Sequence, residues 1–85
     1  MTEKLFPVID DLVDEIYTVE QKNINKKFET LLNEVLVFIE DMQNAGYSII
    51  MDEELLKIQN AFGIKDYGVM ADVLLYDIKE NLKDL

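Results

Sequence analysis

Residues 26–46 read KKFETLLNEVLVFIEDMQNAG, and this stretch decides the fold class. Its apolar side chains recur every three or four residues, a spacing that places them on one face of an α-helix. We therefore predict a helix from about Lys26 to Asn44, closed by Gly46, because glycine adopts the left-handed conformation of a helix end at little cost. The predicted buried face consists of Phe28, Leu31, Leu32, Val35, Leu36, Phe38, Ile39 and Met42.

The residues before this stretch have the same period and predict a first helix from about Pro7 to Lys22. Proline suits a first helical position because its missing N–H would have no intrahelical acceptor there. Asn25 is the predicted cap of the following helix. The buried stripe of the first helix comprises Leu5, Val8, Ile9, Leu12, Val13, Ile16 and Val19.

Two more helices are predicted after Gly46. Gly63, like Gly46, is followed by an apolar residue, and both arrangements are typical of helix closure. A short third helix therefore lies between them, with Asp52 as its cap and with Met51, Leu55, Ile58 and Phe62 buried. The fourth helix runs from about Asp66 to Lys83 and buries Tyr67, Met70, Ala71, Leu74, Ile78 and Leu82.

No segment shows the alternating pattern of a strand together with a pairing partner. The expected fold class is all-α, a four-helix antiparallel bundle with a short third helix that forms a single domain over residues 1–85.

Composition excludes several function classes. The chain has no Cys and no His, so thiolate or imidazole metal sites and the usual nucleophilic pairs cannot form. The formal net charge of −10 disfavours nucleic acid and anionic membranes as partners. We expect no enzymatic activity, no cofactor and no metal site. The absence of a signal-like segment and of a long apolar run indicates a cytoplasmic protein.

Four acids, Asp10, Asp11, Asp14 and Glu15, lie opposite the buried stripe of the first helix. A solvated outer face is the first interpretation of this pattern, and recognition of a basic protein surface is the second. If repulsion between these stacked acids dominates, their pKa values are raised and the protein is more stable at pH 5 than at pH 8. Lysines cluster at the next turn (Lys22, Lys26 and Lys27), where a solvated turn is favoured over an anion site.

The fourth helix carries a second apolar stripe, formed by Val69, Val73 and Tyr76 and edged by Asp72, Asp77 and Glu80. A helix that is apolar on two sides is buried on two sides or binds a partner. A tyrosine between aliphatic residues with an acidic rim matches the anatomy of protein interfaces. Both interpretations of the stripe stay open. Val37 and Leu56, by contrast, are single apolar residues on polar faces, which is ordinary.

The segments Lys65-Asp66-Tyr67 and Ala71-Asp72-Val73-Leu74-Leu75-Tyr76-Asp77-Ile78 lie in one stretch, residues 65–78, which covers about 14 of the 85 residues. This pattern resembles a segment of short, uncharacterised, all-helical proteins of Gram-positive bacteria. The resemblance implies a helical fold and a bacterial cytoplasm, and it implies no activity.

Two functions fit these observations. The first is a small acidic adaptor or regulatory subunit that works by protein contact and forms a homodimer through Val69, Val73 and Tyr76. The second is an inhibitor or immunity protein whose acidic face on the first helix masks a basic surface of a toxin, a nuclease or a nucleic-acid-binding protein.

Overall fold

The structure is a computed structural model that describes residues 2–85, and every regular element in this range is helical. The predicted all-α class with four helices is confirmed. The helices are α1 (Leu5–Ile16), α2 (Ile24–Asn44), α3 (Asp52–Gly63) and α4 (residues 67–82). The chain groups into two compact units, one that ends at Ile50 and one from Met51 to Leu85.

In the first unit, α1 packs along α2. The two helices run antiparallel, because the end of α1 pairs with the start of α2 through Lys27 and the start of α1 lies beside the later turns of α2. The buried residues of α2 recur at helical spacing, as predicted, although Leu36 is 61% exposed. The core of this unit includes Leu5, Ile9, Leu12, Ile16, Phe28, Leu31, Val35, Phe38 and Met42.

The first helix ends at Ile16, six residues before the predicted end at Lys22. The Thr18 hydroxyl donates to the Glu15 carbonyl (2.7 Å), and the Gln21 side-chain amide donates to the Ile16 carbonyl (2.9 Å). These bonds satisfy carbonyls that a helix end leaves without partners, while Gln21 itself takes a left-handed φ of 51°. The prediction that Val19 is buried is therefore wrong, and its side chain is fully exposed.

The helix starts differ from the predicted ones by one or two residues. Pro7 is the third residue of α1, still within the first turn, where its missing N–H costs little. The predicted cap at Asn25 is wrong, since Asn23 precedes α2 and makes no capping bond with its side chain. Asp52 is likewise the first residue of α3 and not its cap. Asp66 does cap α4, because its side chain accepts from the Val69 N–H at 3.3 Å.

Gly46 and Gly63 have different roles at the ends of α2 and α3. Gly46 has a φ of 92° and closes α2 in the predicted way, with the Tyr47 N–H bonded to the Met42 carbonyl at 2.8 Å. Gly63, in contrast, is the last residue of α3. The left-handed residue there is Lys65, with a φ of 60°, so the predicted closure at Gly63 is wrong by two positions.

In the second unit, α3 packs against α4, whose middle is not α-helical. Its first part (Tyr67–Asp72) and last turn (Glu80–Leu82) are α-helical, and the segment between them (Val73–Lys79) is a π-helix. A π-helix bonds i to i+5 and turns less per residue than an α-helix. Along the whole of α4, buried residues recur at every fourth position, at Met70, Leu74, Ile78 and Leu82.

Candidate functional site

The four acids singled out on the first helix do not share one environment. Asp10, Asp11 and Asp14 are exposed, whereas only 8% of the Glu15 side chain is exposed. Glu15 therefore belongs to the contact between α1 and α2. The remaining three carboxylates form the acidic face of α1 (Asp10, Asp11 and Asp14).

Lys27 of α2 connects this acidic face to the buried Glu15. Its Nζ atom lies 3.0 Å from Glu15 Oε1 and 3.3 Å from Asp11 Oδ1. The Thr18 hydroxyl lies 3.1 Å from the other Glu15 carboxylate oxygen, so its one proton is shared between this oxygen and the closer Glu15 carbonyl. One lysine thus serves two carboxylates of α1.

These contacts also set the protonation of the pair. The hydrogen bond from Lys27 lowers the pKa of the Glu15 carboxyl against the opposing effect of burial, with smaller contributions from Thr18 and the Asn23 N–H. The hydrogen bond to Glu15 in turn raises the pKa of Lys27. The prediction of a raised Glu15 pKa is therefore wrong, because the group faces a cation on α2 and not only the acids of its own helix.

The lysines at the turn between α1 and α2 do not converge. Lys22 pairs with Glu20, with their charged atoms 2.9 Å apart, while Lys27 points to the acids of α1. Lys26 is exposed on the first turn of α2. This arrangement does not assemble the anion site that the sequence left as an alternative.

The second stripe of the fourth helix is divided in the structure. Val73 is only 6% exposed, whereas Val69 is 45% and Tyr76 is 70% exposed. Asp72 is exposed and lies on the same side as Val69 and Tyr76, at positions i, i+3 and i+7 of the helix. The exposed side of α4 therefore has an acid between its two apolar residues.

A groove of about 290 Å³ lies between the start of α1 and the later turns of α2, and the sequence did not indicate it. Val37, which the sequence shows as an isolated apolar residue, lines it and is 46% exposed. Periodicity could not predict this groove, because the groove forms only where two helices pair. The lining residues are Glu3, Lys4, Leu5, Glu34, Val37, Phe38, Asp41 and Met42.

No known family accounts for this geometry. The chain matches no protein-family model, and neither a curated protein nor a solved structure shows significant similarity to it. Over residues 2–85, acidic side chains form no group of three or more that could hold a metal ion. In the same range, no helix combines the length and the hydropathy that crossing a bilayer requires.

Proposed function

We propose that this protein acts by protein contact and that it masks a basic surface of its partner with the acidic face of α1. The observation that carries the proposal is the set of exposed carboxylates on this face. Lys27 reaches Asp11 and the buried Glu15, and Asp10 and Asp14 remain exposed beside them. An excess of exposed negative charge attracts a basic surface and speeds association.

Whole-chain charge supports the same partner chemistry. The formal net charge is −10, and 18 acids stand against 8 basic residues, all of them lysine. Two copies of such a chain repel each other at low salt, whereas a basic partner is attracted. A toxin, nuclease or nucleic-acid-binding protein has the basic surface that this chemistry requires.

Self-association through α4 has less support. Val73, the centre of the proposed dimer face, is buried within the folded chain, and Asp72 occupies the exposed position between Val69 and Tyr76. A two-fold contact through this side brings equal charges together, which is unfavourable. We therefore place the adaptor that self-associates second.

The test is affinity capture from the source cell with wild type, with the Asp10→Lys/Asp14→Lys double variant and with Glu29→Lys/Glu40→Lys as control. Both double variants change the formal charge from −10 to −6, and the control residues are exposed acids of α2. We expect a basic protein to bind wild type and the control at low salt, and binding to be lost in the first variant and at about 0.5 M salt. Equal capture by all three proteins would refute the proposal.

Sedimentation of the unmodified protein tests the second candidate function, an adaptor that self-associates through α4. A dimer at micromolar concentration that Tyr76→Ser converts to a monomer would establish self-association through α4. A monomer is the expected result.

A further inference from the structure

The groove between α1 and α2 offers a second, more specific contact. Its wall on α2 presents Glu34, Val37, Phe38 and Asp41, which are spaced i, i+3, i+4 and i+7 and so share one face. Leu5, at the start of α1, closes the other side. The groove thus has an apolar centre between two carboxylates.

Size restricts what this groove holds. At about 290 Å³ it lies at the lower end of ligand pockets, which are roughly 300–1,000 Å³. Such a volume accommodates one or two side chains of a partner and not a large cofactor. Its floor is preformed, because Leu5, Phe38 and Met42 are at most 5% exposed and fixed by packing.

Charge then selects the occupant. Glu34 and Asp41 are seven residues apart on α2, a separation of about 10.5 Å along the helix axis. On the α1 side the N-terminal amine already interacts with Glu3 and lowers the pKa of its carboxyl, and Lys4 adds one positive charge. The two carboxylates of the α2 wall outweigh that single charge and determine the sign of the groove. An occupant must therefore present an apolar side chain flanked by cations on both sides, about two helical turns apart.

We infer that the groove binds an amphipathic cationic helix of a protein partner, with an apolar side chain against Val37 and Phe38 and lysine or arginine beside Glu34 and Asp41. Helix-in-groove recognition uses this spacing of anchors. The aliphatic stems of lysine and arginine also cover apolar surface while their charged ends reach carboxylates. This inference rests on the proposed function, since it names the segment of the basic partner that docks and the place where it docks.

The experiment uses the full chain and a fluorescent synthetic peptide of about 15 residues, long enough to form a helix on binding. The peptide carries lysines at i and i+7 with leucines at i+3 and i+4 between them, and a second peptide has glutamates in place of the lysines. Fluorescence anisotropy at low salt gives Kd. We expect the cationic peptide to bind with micromolar Kd and the acidic peptide not to bind.

Matched variants locate the binding. Glu34→Lys/Asp41→Lys should raise Kd by about tenfold, because two exposed charge pairs are lost and replaced by repulsion. The control Glu29→Lys/Glu40→Lys changes the net charge equally at exposed positions of α2 that do not line the groove, and it should change Kd by less than about threefold. Val37→Ser should raise Kd several-fold, whereas Leu36→Ser, at a 61% exposed position on the far side, should not.

Each of the alternative results below refutes either the groove inference or the masking function. Equal effects of the groove and control reversals would mean attraction by bulk charge and would overturn the inference. Loss of peptide binding only in Asp10→Lys/Asp14→Lys would overturn the groove and leave the proposed function standing. Peptide binding in the groove, without capture of any basic protein by wild type, would refute the masking function and not the groove. If the free protein forms a dimer that Glu34→Lys/Asp41→Lys dissociates, the groove binds a second copy of this chain, and the inference of a cationic partner helix is overturned.

Discussion

Replacing Gly46 by alanine should destabilise the protein, whereas replacing Gly63 by alanine should stabilise it. Gly46 follows α2 with a φ of 92°, and a Cβ added there meets no atom within 4 Å. The cost of Gly46→Ala is therefore conformational and not steric. Placing an L-residue in the left-handed region costs about 1–2 kcal/mol, and the reduced entropy of the unfolded chain returns about 0.4–1 kcal/mol. We expect a net loss of about 1 kcal/mol.

Gly63 sits inside the last turn of α3, without a positive φ and with no atom within 4 Å of an added Cβ. Alanine is favoured over glycine in a helix by up to about 1 kcal/mol, less at a terminus. Gly63→Ala should therefore stabilise the protein by about 0.5 kcal/mol. Lys65→Gly should also stabilise it, because Lys65 holds the left-handed conformation with a φ of 60°.

Thermal unfolding monitored by circular dichroism measures these differences. One kcal/mol corresponds to about 4–8 °C in Tm for a domain of 60–100 residues, so Gly46→Ala and Gly63→Ala should differ by roughly 6–12 °C. Gly68→Ala is a control in which the added Cβ meets only Asp66 Oδ1, at 3.9 Å. If Gly63→Ala lowers Tm as much as Gly46→Ala does, α3 closes at Gly63 and the argument from Lys65 is refuted.

Three further predictions concern ionisation, the core and α4. Glu15→Gln should lower Tm at pH 7. Because the folded pKa of Glu15 is lowered, the stability it contributes is present above its unfolded pKa of about 4.3 and is lost as pH falls through the folded value. The difference from wild type should therefore shrink in thermal scans as the pH falls from 7 into the acidic range, and a difference that stays constant with pH would contradict the ion pair. Ile9→Ala, at a position with 0% exposure, should cost about 2–5 kcal/mol in urea unfolding, whereas Val19→Ala should change stability by less than about 0.5 kcal/mol; similar losses would mean that α1 extends past Ile16. Val73→Asp should unfold the second unit, because it buries a charge at a 6% exposed position, while Val69→Asp at 45% exposure should leave the circular dichroism spectrum unchanged.

Periodicity predicted the helices well because it reports which face each helix buries. The buried residues of α2 from Phe28 to Met42 recur as expected, and the end of this helix at Asn44 is the predicted one. Burial of a stripe is the main source of helix stability in a protein, so the pattern and the element coincide.

The end of α1 could not be predicted in the same way. Its apolar spacing continues to Val19, but Thr18 and Gln21 bond the carbonyls of the last turn and redirect the chain. Serine, threonine, asparagine and glutamine side chains compete with the helix through such local bonds, and the sequence does not say which acceptor each will take.

The candidate sites were harder to predict because they depend on contacts between elements. A helical wheel places Glu15 among the outer acids of α1, yet Lys27 of α2 covers it. The groove at Val37 likewise exists only where α1 and α2 meet. Charge composition gave the chemistry of the expected partner, and the pairing of the helices determined which carboxylates remain exposed to meet it.

The twist of α4 explains why its second stripe misled the sequence interpretation. Residues four apart drift by about 40° per step on an α-helix with 3.6 residues per turn, so Met70, Leu74, Ile78 and Leu82 would wind away from one another. The π-helical segment turns less per residue and returns them to one side. The same unwinding moves the buried side towards Val73 and leaves Asp72 between Val69 and Tyr76 on the exposed side. Val73, which a regular helical wheel assigns to an interface, is thus part of the core, and the surfaces that we propose for a basic partner lie on α1 and α2.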